Sequence, residues 1–287
     1  MRTIKAIQKA LFEPIADLVT YRVMPTTLVP KNSIDPFIFL NHHGRQEYPP
    51  RNQGLPFDPH PHRGFETVTF ILDGDLTHHD SSGGSSLINA GGVQWMVAGK
   101  GLIHTEVSSD HFKTNGGPLE LLQLWINLPA QHKMTQPLYR GLEKNDIPEL
   151  LLDGDKAVAK IVFGTWKGIN GPFFPLTDIH LAKIDFKPGG KTGFFIPRER
   201  NILLYVVKGI VRVNSKEIIE RHIAVFAHDD ESVYVEALSD AVLLFGHATP
   251  LREPFVAHGP FVMNNREQIL QAYDDYNSGK FGDRVNF

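Results

Sequence analysis

A chain of 287 residues, 41% hydrophobic and 21% charged, has the balance of an ordinary globular protein and the length of two domains rather than one. Its 29 Lys and Arg stand against 32 Asp and Glu, a formal charge of -3, which offers no cationic excess to neutralise phosphates and argues against nucleic acid as a direct ligand. The absence of cysteine excludes disulfides, thiolate metal sites and cysteine nucleophiles.

The first residues, MRTIKAIQKALFEP, are basic but never reach the apolar run of a signal peptide, and no stretch approaches the ~20 apolar residues of a membrane span. A cytoplasmic protein without membrane contact is expected. His42-His43-Gly44 precedes a loop and reads as capping or hydrogen-bonding polarity rather than as metal ligands. The loop from Tyr48 to Asp58, with its prolines and Gly54, can form one wall of a site that follows it.

That site begins with Asp58-Pro59-His60-Pro61-His62-Arg63-Gly64-Phe65-Glu66, directly before a β-rich run from Thr67 to Leu72. Side chains two apart on an extended chain share a face, so His60 and His62 point to the same side. After the turn Asp73-Gly74-Asp75, His78-His79-Asp80 falls beside the tip Ser81-Ser82-Gly83-Gly84 and is expected to be solvated. A second turn, Asn89-Ala90-Gly91-Gly92, leads on to Gly101-Leu102-Ile103-His104-Thr105-Glu106, where an imidazole and a carboxylate are again two apart. Three nitrogens and one oxygen then converge if these two strands face each other. Glu66, in phase with His62, competes with Glu106 for the fourth position. Such a set leaves coordination positions open, as catalytic rather than structural metal sites do. Without thiolates it suits Fe(II), Mn, Ni, Cu or Zn. Phe57, Phe65, Trp95, Met96 and Trp125 are candidates for an aromatic lining, although aromatic side chains in a small barrel usually pack the core.

Another β-rich run spans Leu119 to Ile126, and the Pro129 to Pro148 stretch reads as a connection, which puts a boundary near residue 135: one domain over 1–135, a second over 136–287. The second half has β-rich runs at Ile202 to Val207 and Ala241 to Phe245, with turns at Lys187-Pro188-Gly189-Gly190 and Lys208-Gly209. It repeats the first in outline, ETVTFILDGDL from Glu66 matching NILLYVVKGIV from Asn201 when Gly74 is laid over Gly209. The fold class is therefore all-β, two barrels with a short C-terminal helix. For that helix Asn264 is the expected cap, Glu267 its capping-box partner, Ile269, Leu270 and Tyr273 the apolar stripe, and Gly279 the stop.

The segments FLNHHGR, PHPHRGFETVTFILDG, GGVQWMVAGKGLIHTE and INLPAQHKM, in this order between Asp35 and Pro137, resemble the signature segments of the pirins, which are bicupin proteins. The second half resembles the pirin C-terminal cupin more loosely. The resemblance implies two cupin-type barrels, with Fe(II) held in the N-terminal one by His60, His62, His104 and Glu106, so Glu106 ranks above Glu66. Positions laid over His60, His62 and Glu66 in the second half are Phe195, Pro197 and Asn201, and Tyr234-Val235-Glu236 stands against His104-Thr105-Glu106, which implies a second barrel without metal. The activity implied is that of a quercetin 2,3-dioxygenase: cleavage of a flavonol by O2 with release of carbon monoxide, Glu106 taking the proton of the 3-hydroxyl. The alternative is an iron-containing regulatory or redox-sensing protein acting through protein partners. A third reading is a Zn-dependent hydrolase or isomerase on the same ligands. A monomer is expected, with a small aromatic substrate such as a flavonol.

Overall fold

The computed structural model describes residues 1–282. Strands dominate, and the chain divides into two compact units, one made of Phe12–Thr20, Leu40–Lys144 and the segment from Arg252 onward, the other of Met1–Leu11, Tyr21–Phe39 and Asn145–Leu251. A single cut at 135 does not describe this division. Strand Leu138–Leu142 still pairs with Val93–Val97, from Leu138 opposite Val97 to Leu142 opposite Val93, so the chain stays in the first barrel until residue 144. The two ends are exchanged. Strand Ile4–Lys9 pairs with His222–Phe226, while the segment after 251 packs on the barrel built from residues 40–144. Among the described residues no helix is long and apolar enough to cross a membrane.

In the first unit, one sheet runs through Leu138–Leu142, Val93–Val97, Phe65–Asp73, Gly117–Asn127 and Phe37–Tyr48, and a four-stranded sheet through Phe57–His62, Leu102–Val107, Asp75–Asp80 and Ser85–Asn89. The inner faces meet: Glu106 of the smaller sheet is hydrogen-bonded by Thr69, Gln94 and Gln123 of the larger one. At one end, Ile71, Leu76, Ile88, Leu119 and Leu121 form an apolar plug. Elsewhere in the unit buried polar side chains, among them His62, Glu66, His78, His104 and Glu106, lie inside.

In the second unit, Asn201–Lys208, Ala241–Ala248 and Ile179–Phe186 are neighbours in one sheet, and Lys191–Phe195, Ser232–Ala237 and Ile210–Val213 in another. Its interior is filled by apolar side chains, among them Ala182, Ile184, Leu204, Val211, Val235, Leu243 and Phe245. Of the positions matched to the ligands, Phe195 is exposed and Glu236 is paired with Arg212 at 3.0 Å and Lys191 at 3.2 Å. Gly74 and Gly209, aligned by the internal repeat, have φ of 81° and 82° and each turns the chain out of a long strand, Phe65–Asp73 and Asn201–Lys208 respectively. The repeat is thus a repeat of turn geometry as well as of apolar pattern.

The C-terminal helix spans Arg266–Asn277. Its cap is Asn265 rather than Asn264, the side chain accepting from the Gln268 backbone N–H at 2.9 Å. The Gln268 side chain reaches back to the N–H of Asn264, also at 2.9 Å, so Gln268 takes the part expected of Glu267. Ile269 and Ala272 are buried with Tyr273 and Tyr276 packed beside them, whereas Leu270, one residue and about 100° around the helix from Ile269, is 56% exposed. A second, shorter helix, Asp110–Asn115, is capped by Ser109.

Candidate metal centre

Strands Phe57–His62 and Leu102–Val107 are antiparallel neighbours, with His104 opposite His60 and Leu102 opposite His62. This register carries out what the two-residue spacing predicts, and one ligand atom from each of His60, His62 and His104 lies within 4.8 Å of the others. His62 and His104 are buried and His60 half-buried.

The hydrogen bonds fix the tautomers. His60 Nδ1 donates to the Asp58 carbonyl at 2.7 Å and His62 Nδ1 to the Pro260 carbonyl at 3.3 Å. A carbonyl only accepts, so both rings carry their proton on Nδ1 and leave Nε2 as a lone pair. His104 Nδ1 lies 3.5 Å from His78 Nδ1, and His78 Nε2 is 2.9 Å from Asp80 Oδ2. With His78 donating to the carboxylate, its Nδ1 accepts, His104 carries its proton on Nδ1, and the Nε2 of His104 is again a lone pair. That last nitrogen is buried and has no hydrogen-bond partner. An orphaned buried acceptor costs about 1–3 kcal/mol, and a cation at the meeting point of the three rings would remove that cost. Burial holds all three imidazoles below their ordinary pKa, with His62 and His104 pushed further down by their neighbouring rings. Neutral imidazoles are the form that binds metal. The residues therefore fit a divalent ion.

Glu106 is not drawn into the three-histidine group. Its carboxylate is turned to three donors: Gln94 and Thr69, the latter at 3.4 Å, on Oε1, and Gln123 at 2.6 Å on Oε2. A bulge in the ladder between His104 and Glu106 brings Glu106 opposite Phe57. Burial pushes its pKa up to about 7, against the three hydrogen bonds, which favour the charged form. Glu66 is fully buried and accepts from the Trp95 indole at 3.2 Å, so it too stands apart from the histidine group.

Two residues expected in solvent are inside. His78 and Asp80 are both buried, His78 beside Glu106 and Asp80 beside His104 in the ladder of Asp75–Asp80 with Leu102–Val107. His78 is stacked on Tyr139, ring centroids 3.7 Å apart at 3°. The Tyr139 hydroxyl contacts Ser86 and donates to Gln94 Oε1 at 3.1 Å, and Gln94 in turn donates to Glu106. The cluster is thus backed by Asp80–His78 behind His104 and Tyr139–Gln94 behind Glu106. The signal was present in the sequence: Leu76, His78 and Asp80 alternate with Thr77 and His79 at period two right after the Gly74 turn, as an inward strand face requires. His42 and His43 lie away from the group, bonded to Glu120 at 2.8 Å and to the Thr20 hydroxyl at 2.9 Å. Trp125 and Phe65 lie 4.4 Å apart, Trp125 lies 5.2 Å from His62, and Phe57 packs on His43. Trp95 and Met96 are core residues.

The chain matches the Pirin family over residues 19–126 and the Pirin C-terminal cupin domain over residues 181–282. The chain belongs to the pirin family. A Pseudomonas aeruginosa relative, assigned provisionally by its name to quercetin 2,3-dioxygenase, is 35% identical over 268 residues, covering 93% of this chain and 92% of its own. Pirin-1 of Arabidopsis thaliana is 36% identical over 262 residues, covering 89% of this chain and 86% of its own. A crystal structure of quercetin 2,3-dioxygenase from Acinetobacter baumannii superposes with a TM-score of 0.90 at 31% identity, over 99% of this pirin-family chain and 100% of that one. Both units are thus cupins.

Proposed function

We propose that this chain is a metal-dependent dioxygenase of the quercetin 2,3-dioxygenase type, which cleaves a flavonol with O2 and releases carbon monoxide, and that its metal is Fe(II). The observation that carries the reading is the convergence of three neutral imidazoles, one ligand atom of each within 4.8 Å of the others, with the buried Nε2 of His104 left without a hydrogen-bond partner. The similarity to the Acinetobacter baumannii dioxygenase and to the Pseudomonas aeruginosa relative supports the choice of chemistry.

His60, His62 and His104 would hold the metal, with Glu106 as the fourth ligand; Mn, Ni, Cu and Zn suit the same donors. When bound, the ion supplies Lewis-acid polarisation of a substrate oxygen. The remaining work falls to side chains of this chain. Burial favours the protonated form of Glu106, so its ionised carboxylate is suited to accept the proton of a flavonol 3-hydroxyl. Gln94, Thr69 and Gln123 keep its two oxygens oriented. The Phe65–Trp125 pair beside His62 offers an apolar wall that orients flat rings and keeps water away.

The test is metal analysis of anaerobically purified protein followed by oxygen uptake with quercetin on the iron-loaded form. Iron retention and quercetin-driven uptake, both abolished in His104→Ala, are expected. Activity unchanged in that variant would sink the assignment, and iron retained without turnover would replace it by the regulatory reading, in which the centre acts through a protein partner.

A further inference from the structure

Arg63 follows the second histidine of the group directly, is almost fully buried, and divides its donors between two distant segments. Its Nε donates to the Lys100 carbonyl at 2.6 Å and its Nη1 to Asp275 Oδ2 at 2.9 Å. Lys100 lies in the turn Ala98–Gly101, closed by a Gly101 N–H to Ala98 carbonyl bond of 2.9 Å, and that turn launches the strand carrying His104. Asp275 sits on the helix Arg266–Asn277 and is itself held by Gln271 at 2.9 Å and Lys280 at 2.7 Å. The Phe281 ring lies against the guanidinium, 4.6 Å from Cζ to centroid.

The same C-terminal segment reaches the histidines by a second route. The Pro260 carbonyl fixes the His62 ring, and the Val262 N–H donates to the Arg63 carbonyl at 3.0 Å. Lys133, buried, donates to the Gly64 carbonyl at 2.8 Å, to Asn127 Oδ1 at 2.6 Å and to the Val262 carbonyl at 3.0 Å. Chain approach here is so close that a Cβ on Gly64 would stand 2.0 Å from the Val262 oxygen.

We propose that Arg63 is a positioning residue for the metal group: its planar fork ties the segment bearing His60 and His62 to the turn that launches His104, and Asp275 anchors the fork. The proposal rests on the three histidines being a metal site. It follows from the geometry of guanidinium. Two donors at a fixed angle couple two acceptors rigidly, whereas an ammonium at the same place is a point charge that cannot hold both in one geometry. The ladder sets the spacing of the two strands, the seated fork fixes the ends at which His62 and the turn before His104 meet, and the C-terminal helix becomes part of the metal centre although it contributes no ligand.

The experiment uses full-length metal-free protein, with Zn(II) affinity from competition against a chelator and the ligand-field spectrum of bound Co(II) as a reporter of ligand geometry. Arg63→Lys keeps the charge and loses the fork; Asp275→Asn keeps the shape and loses the anchor. Both are expected to weaken Zn(II) about 10- to 100-fold, the usual effect of losing an outer support of a ligand, and to alter the Co(II) spectrum. Leu270→Ala, at an exposed position of the same helix, is expected to leave both unchanged. Should Arg63→Lys fail to fold, Asp275→Asn decides the question. A purely structural role would lower the melting temperature of the metal-free variants and leave affinity and spectrum as in the unaltered protein, which would overturn the proposal. Unaltered protein that takes up neither ion would overturn the metal reading itself, and this inference with it.

Discussion

The Nδ1 atoms of His78 and His104 lie 3.5 Å apart, with Asp80 accepting from the far nitrogen of His78. The carboxylate orients His78, His78 orients His104, and His104 is left with a bare nitrogen facing the other two histidines. Asp80→Asn keeps the shape but offers an amide in place of an obligate acceptor, so His78 can turn its other tautomer toward His104. A loss of about 10- to 100-fold in metal affinity is expected, with His79→Gln, on the outer face of the same strand, as the neutral control. Chelator competition measures both.

Loading the site should release protons around neutral pH. Glu106 in the metal-free protein has its pKa pushed up to about 7 by burial, and as a ligand it would have to be ionised. The bound state then carries fewer protons, so affinity rises as pH increases through 7 and levels off above. Isothermal titration in buffers of different ionisation enthalpy counts those protons. In Glu106→Gln the proton release and the slope near pH 7 are expected to vanish, and a slope that persists would remove Glu106 from the ligand set.

The second cupin should be acid-labile through His247. Burial pushes its pKa down to about 3, helped by His180, stacked on it at 4.4 Å, and by Arg200, whose Nε donates to it at 2.8 Å. The unfolded chain takes up that proton near pH 6.5 while the folded chain refuses it until about pH 3. Stability from this group is therefore complete above pH 6.5 and falls as pH drops through the window, with a limiting slope of about 1.4 kcal/mol per pH unit. Urea midpoints at pH 7, 5 and 4 should fall more steeply for the unaltered protein than for His247→Gln.

Gly209→Ala and Gly189→Ala separate strain from collision. Both glycines have positive φ, 82° and 76°, but a Cβ on Gly209 would meet the Asp240 carbonyl at 2.1 Å while one on Gly189 meets nothing within 4 Å. Gly189→Ala should cost about 1 kcal/mol, the left-handed backbone penalty, and Gly209→Ala distinctly more. Denaturant midpoints with unchanged slopes provide the comparison.

Much of this architecture could be read in the chain because it is local. β-Rich runs between Gly and Pro turns place the strands around Thr67, Leu119, Ile202 and Ala241, and two-residue spacing puts His60 and His62 on one face, with His104 two residues from Glu106 on the next strand. What escaped the reading is set by residues far apart in sequence. Glu106 has the right phase, but the Thr69, Gln94 and Gln123 donors that orient its carboxylate come from three other strands, and no two-residue motif reveals them. His78 and Asp80 carried an alternation signal that proximity to a hairpin tip masked. The helix start moved by one residue because Gln268, not Glu267, closes the cap. The exchange of the ends is the least legible feature of all, since the pairing of Ile4–Lys9 with His222–Phe226 depends on a partner two hundred positions away in the chain.

That exchange orders events during synthesis. The three histidines and the strands that bear them emerge from the ribosome with the first barrel, but Pro260, Val262 and Asp275 follow only after the whole intervening cupin has been made. A nascent chain stalled before residue 252 would display the three histidines without the carbonyl that sets the His62 tautomer or the acid bonded to Arg63. A metal held by these histidines in their final geometry would thus have to wait until the second cupin and the residues beyond 252 have been made.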